Sequence, residues 1–92
     1  MRITFLEPFR RRCRGLEAEQ QAAVLQALLE LDAALAQPHE HRGLGLRKLH
    51  PAGLWEIRVG LDLRVVFRLK GDEIICSLLG AHDDVRRFLK NL

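Results

Sequence analysis

The chain has no tyrosine, one tryptophan and one methionine, and only three prolines and two cysteines in 92 residues. No apolar run approaches the ~20 residues of a membrane-spanning helix. The opening "MRITFLEPF" lacks the apolar core of a secretory signal. Cys13 and Cys76 both stand in apolar phase, with neither a CxxC partner nor a histidine at ligand spacing. That argues against a zinc site and against a disulfide framework, and makes a reducing cytoplasm the expected compartment. No Gly/Ser/Pro-rich tract, repeat or low-complexity run marks a linker, so residues 1–92 are expected to form one small domain.

What the chain does have is charge, and its distribution matters more than its sum. Fifteen Lys and Arg against twelve Asp and Glu leave a formal charge of +3, which suits a polyanionic or acidic partner. Arg10, Arg11, Arg12 and Arg14 cluster early, Arg42, Arg47 and Lys48 lie mid-chain, and Arg58, Arg64, Arg68 and Lys70 fall in one later stretch. The early run reads either as an exposed helix face or as an electrostatic footprint for a partner.

Hydrophobic periodicity divides the chain into elements. "RITFL" (2–6) is β-branched and aromatic, which predicts a strand. Pro8 suits the first turn of a helix carrying Phe9, Cys13 and Leu16 on one face, and Gly15 breaks it. Over 17–36, Val24, Leu28, Leu31 and Leu35 follow the spacing of an amphipathic helix, with Leu25 and Leu29 widening the stripe and Pro38 ending it. Residues 38–53 read as a long connection holding His39, Glu40 and His41; loops of that length are often functional. "LWEIRV" and "LRVVFRLK" alternate as two strands around Gly60, Leu61 and Asp62, and "EIICSLLG" (73–80) is apolar on both sets, as a covered central strand is. "HDDVRRFLKNL" (82–92) predicts a helix with Val85, Phe88, Leu89 and Leu92 on one stripe. The expected order is β-α-α-β-β-β-α: an α+β domain, a small, mostly antiparallel sheet with its helices, including a helical hairpin, on one face.

Strand period then sorts the charges. If Trp55, Ile57, Val59, Leu63, Val65 and Phe67 pack on the helices, Glu56, Arg58, Arg64 and Arg68 share the opposite face. His82 follows the third strand of this meander and can reach one rim, and Lys48 and His50 enter from the long loop. Guanidiniums grip phosphate oxygens and stabilise a pentacoordinate transition state, while a carboxylate or imidazole can move the protons. The set therefore fits RNA cleavage by 2′-hydroxyl attack, which needs no metal or other cofactor, and the sequence has no carboxylate cluster of the kind that binds Mg²⁺. The same residues also fit a solvated cross-strand ion pair at Glu56, edge charges at Arg68 and Lys70, and a helix-start residue at His82.

"RKLHPAGLWEIRVGLDLRVVFRLKGDEIICSLLGAHDDVRRFL" resembles the RelE/ParE superfamily of bacterial type II toxins, through a Lys-Leu element, a Trp-x-Ile-Arg-Val strand, an "LRVVF" strand and an apolar strand ending at Gly and His. The resemblance implies a small sheet with a helical hairpin on one side and a basic face on the other. It implies ribosome-dependent mRNA cleavage, with Arg64 on the scissile phosphate, Arg58 assisting, Glu56 as general base in the YoeB-like manner and His82 as general acid. YafQ-like members add His50; Lys48, Arg47, Arg68 and Arg86 are the remaining candidates for RNA binding. The implied partners are a cognate antitoxin, ribosome-bound mRNA and rRNA, with DNA reached only through an antitoxin complex and no membrane. The chain departs from RelE- and YoeB-like members in having no C-terminal tyrosine; Phe88 or Arg86 could supply stacking or charge there. A ParE-like inhibitor of DNA gyrase and a non-toxic RNA- or protein-binding member are the alternatives.

Overall fold

The computed structural model describes residues 1–36 and 44–92. The readings on Pro38, His39, Glu40, His41 and Arg42 fall outside the described residues. The elements are β1 (Arg2–Phe5), α1 (Glu7–Arg14), α2 (Ala18–Ala36), β2 (Arg47–His50), β3 (Leu54–Val59), β4 (Leu63–Lys70), β5 (Glu73–Gly80) and α3 (His82–Lys90). They build one five-stranded sheet in the order β1-β5-β4-β3-β2. β1 runs parallel to β5 and every other pairing is antiparallel, so the fold is α+β with a mixed sheet.

Each helix ends where its chemistry changes. Pro8 sits in the first turn of α1, where a missing N–H costs nothing, and Glu7 faces the positive helix end. Before α2, the Gln20 side chain accepts from the Glu17 N–H at 3.2 Å, one half of a capping box. α1 and α2 form the expected hairpin and cover one sheet face. Phe9, Val24, Leu28 and Leu31 pack there with Ile57, Val65, Phe67, Ile74 and Cys76. Each such side chain contributes roughly 1.5–3 kcal/mol of burial. Burial also pushes the Cys76 thiol up to about 12, so it stays protonated and inert.

Four features differ from the sequence reading. The supposed loop of 38–53 contains β2, whose Arg47 stands opposite Glu56 and whose Lys48 stands opposite Trp55. α3 does not join the hairpin: Val85, Phe88 and Leu89 pack with Leu54, Val66, Leu49 and Leu78 in a second cluster on the other side of the sheet. Leu25 and Leu29 are exposed at 58% and 57%, so the buried stripe of α2 is narrower and is completed by Ala27 and Ala34. Leu92 lies beyond α3 and is likewise exposed. A bulge in β5 at Ser77, between the Val66–Leu78 and Phe67–Cys76 pairs, sends Leu78 to the α3 side while Cys76 keeps to the hairpin side. Among the described residues, no helix is long and apolar enough to cross a membrane.

Candidate active site

The register of β2, β3, β4 and β5 lays out the face opposite the hairpin as three rows. In the first, His50 pairs with Leu54 and Leu54 with Arg68. In the second, Arg47 pairs with Glu56, Glu56 with Val66, and Val66 with Leu78. In the third, Arg58 pairs with Arg64, and Arg64 with Gly80, two residues before His82. Strand alternation thus gathers four arginines and one carboxylate on the side where α3 packs.

Glu56 is the centre of this arrangement, and it is only 2% exposed. Its Oε2 accepts from Arg64 at 3.2 Å and pairs with Arg47 at 3.0 Å. Its Oε1 is buried with no hydrogen-bond partner among the described residues. A carboxylate oxygen left dry and unpaired is costly, and such groups cluster at working sites. The two arginines differ: the Arg64 side chain is 22% exposed, whereas that of Arg47 is 64% exposed.

Arg64 also reaches a second environment. It lines a cavity of ≈ 290 Å³ with Leu61, Asp62, Ala81, His82 and Asp83. Arg64 therefore pairs with the buried carboxylate and also lines an open cleft to which His82 contributes. Arg58 is exposed in the same row, and its N–H donates to the Leu44 carbonyl at 2.8 Å.

The other candidates are placed less centrally. Lys48 turns to the hairpin side of the sheet, its Nζ 5.8 Å from the centre of the Trp55 ring. The Nδ1 of His50 accepts from the Ala52 N–H at 3.0 Å, closing the turn before β3. Arg68 donates to the Ala52 carbonyl at 3.4 Å, and Arg86 is exposed on α3.

Asp84 anchors the start of α3, where His82 stands, a role that the sequence reading did not assign. Its carboxylate accepts from the Ala81 N–H at 2.8 Å, bonds Arg87, and approaches Arg12 of α1 at 3.9 Å. Gly80 makes room for it, since a β-carbon at that position would lie 2.7 Å from the Asp84 β-carbon. The backbone N–H of Ala81 chiefly, then Arg87 and Arg12, hold the Asp84 carboxyl below its ordinary value. A lowered folded value means stability that is present above the unfolded value of about 4 and is lost as pH falls through the folded one. The start of α3 is therefore expected to loosen in acid. Amide exchange of α3, followed from about pH 5 to about pH 2, should show protection lost over this range in the native chain and a shallower dependence in Asp84→Asn.

No family model matches the chain, and no curated protein sequence does. Solved structures do. A copper-bound mutant toxin from Helicobacter pylori superposes with a TM-score of 0.67 at 16% identity, over 92% of this chain and 98% of that one. A YoeB/ParE toxin from Agrobacterium tumefaciens gives 0.65 at 19% identity, over 89% and 99%. The RelBE2 toxin–antitoxin complex from Mycobacterium tuberculosis gives 0.65 at 16% identity, over 88% and 96%. The likeness spans nearly the whole chain on both sides, so the fold that the residues build here is that of the RelE/YoeB-type toxins.

Proposed function

We propose that this chain is the toxin of a type II toxin–antitoxin pair and that it cleaves ribosome-bound mRNA. The observation that carries the reading is the position of Arg64, between the buried Glu56 carboxylate and the cleft it shares with His82. A phosphate entering that cleft meets Arg64 and Arg58, and it competes with Glu56 for Arg64 and for the exposed Arg47. As the arginines turn to the phosphate, the Glu56 carboxylate is released to act as a base. It takes the proton of the 2′-hydroxyl while the 2′-oxygen attacks phosphorus. Arg64 and Arg58 hold the extra charge of the phosphorane. The bond to the 5′-oxygen then breaks and His82 gives that oxygen a proton, leaving a 2′,3′-cyclic phosphate and a 5′-hydroxyl. The chemistry runs on side chains alone, and its setting is the cytoplasm. A cognate antitoxin is the implied partner, as in the RelBE2 neighbour.

Two observations favour a second reading. The carboxylate is almost wholly buried and the chain has no tyrosine, as suits a gyrase-binding protein that cleaves nothing. Induced expression separates the two. Rapid arrest of translation with cuts in translated mRNA is the expected result; an SOS response with intact mRNA would replace the nuclease by the gyrase inhibitor.

A further inference from the structure

The β3–β4 turn carries the most exposed large apolar side chain of the described residues. Leu61 is 96% exposed, at the tip formed by Gly60, Leu61 and Asp62. Gly60 has φ +64°, a left-handed value that glycine tolerates and that sets the turn. A lone surface leucine is ordinary. This one is not merely on the surface, because it forms part of the wall of the cavity that holds Arg64 and His82.

The other walls of that cavity are polar or small: Asp62, Arg64, Ala81, His82 and Asp83. The one tryptophan is half-buried on β3 and packs towards the hairpin core, and Phe9 and Phe67 are buried there. Among the described residues, no Phe or Trp lines the cleft, and its one ring, that of His82, is assigned to proton transfer. A nucleotide whose phosphate sits on Arg64 must nevertheless put its base somewhere, and leucine is one of the side chains that wedge against or between bases.

We propose that Leu61 is the base-contacting residue of this cleft: an apolar wedge that packs on a nucleobase beside the scissile phosphate and holds the 2′-oxygen in line for attack. The inference rests on the nuclease reading and deepens it. Arg64 grips the phosphate without regard to sequence, whereas Leu61 meets the base, so it is a positioning residue that also sets which nucleotide is preferred. Because its side chain packs on almost nothing in the fold, it can be changed without structural cost.

The test uses the full chain with two readouts. In a purified translation system, Leu61→Ser is expected to cut mRNA about tenfold more slowly and at a changed set of positions, with an unchanged melting temperature, while Leu61→Trp keeps or exceeds native cutting. In parallel, fluorescence anisotropy measures binding of a short oligoribonucleotide with a 2′-deoxy scissile position and of the same strand with one abasic site. Leu61→Ser should weaken binding of the intact strand about five- to tenfold and leave the abasic strand unchanged. Arg64→Ala should weaken both alike. Equal cutting by Leu61→Ser and the native chain, or an equal effect on both strands, would overturn the wedge while the nuclease stands. If the native chain cuts nothing, the nuclease reading fails; the intact-against-abasic difference then decides Leu61 alone, and its absence overturns the proposal.

Discussion

Arg64→Ala is expected to reduce mRNA cleavage by about 10³-fold and to abolish growth arrest while the protein stays folded. Removing one preorganised donor from a developing oxyanion costs about 10²–10³ in rate. Arg64 does more, since it also couples the buried carboxylate to the open cleft. The structural cost is smaller. Arg47 still pairs with Glu56 at 3.0 Å after the change, so stability should fall by only about 1–2 kcal/mol. Arg64→Lys keeps the charge but loses the planar fork, and it should fall between the two. Primer extension on translated mRNA and thermal denaturation together read both effects. Native levels of cutting by Arg64→Ala would remove this residue from the chemistry.

Glu56 should show a large loss of activity with a smaller loss of stability. Glu56→Gln removes the base and keeps the shape, and a lost general base costs about 10²–10⁴ in rate. Glu56→Leu should be as inactive, with a loss of stability below the roughly 3–5 kcal/mol of an acid removed from a fully buried pair. The reason lies in the surroundings. The carboxylate is 2% exposed, carries an unpartnered Oε1, and borders the apolar cluster of Leu54, Val66 and Val85. Its two arginine partners both reach water, so neither is stranded when the acid is removed. Denaturant unfolding and single-turnover cleavage on the same preparations decide the matter. A strongly destabilised Glu56→Leu would make the carboxylate a structural strut, and cutting by Glu56→Gln at the native rate would take away its role as base.

Much of this was legible because strand alternation is strict. Once Ile57, Val65 and Phe67 are taken as core, Glu56, Arg58 and Arg64 have to share the other face, and they do. Two signals were present but pointed past the simple reading. Val66 and Leu54 are apolar residues on the charged face, which meant that something had to cover them; α3 does. In α2, leucines and alanines occur around much of the helix, so periodicity could locate the buried stripe but not its width.

The division between Arg47 and Lys48 could not be read at all. "RKLH" has no alternation of its own, and only its pairing with β3 decides which of the two cations meets Glu56. The same holds for the approach of Asp84 to Arg12 of α1, which only the folded chain brings about; its bond from the Ala81 N–H is local to the start of α3.

The parallel pairing of β1 with β5 has a consequence for when the protein becomes active. The strand made first, with Arg2 opposite Glu73 and Phe5 opposite Cys76, has to wait for nearly the last one made. Closing so long a loop is slow, so the sheet is complete only once β5 has been made, and it is this same strand that brings Gly80 and the start of α3 to Arg64 through its pairing with β4. The cleft therefore assembles only after most of the chain has emerged from the exit tunnel. On the proposed reading, the chain can attack translation only once its own synthesis is nearly done.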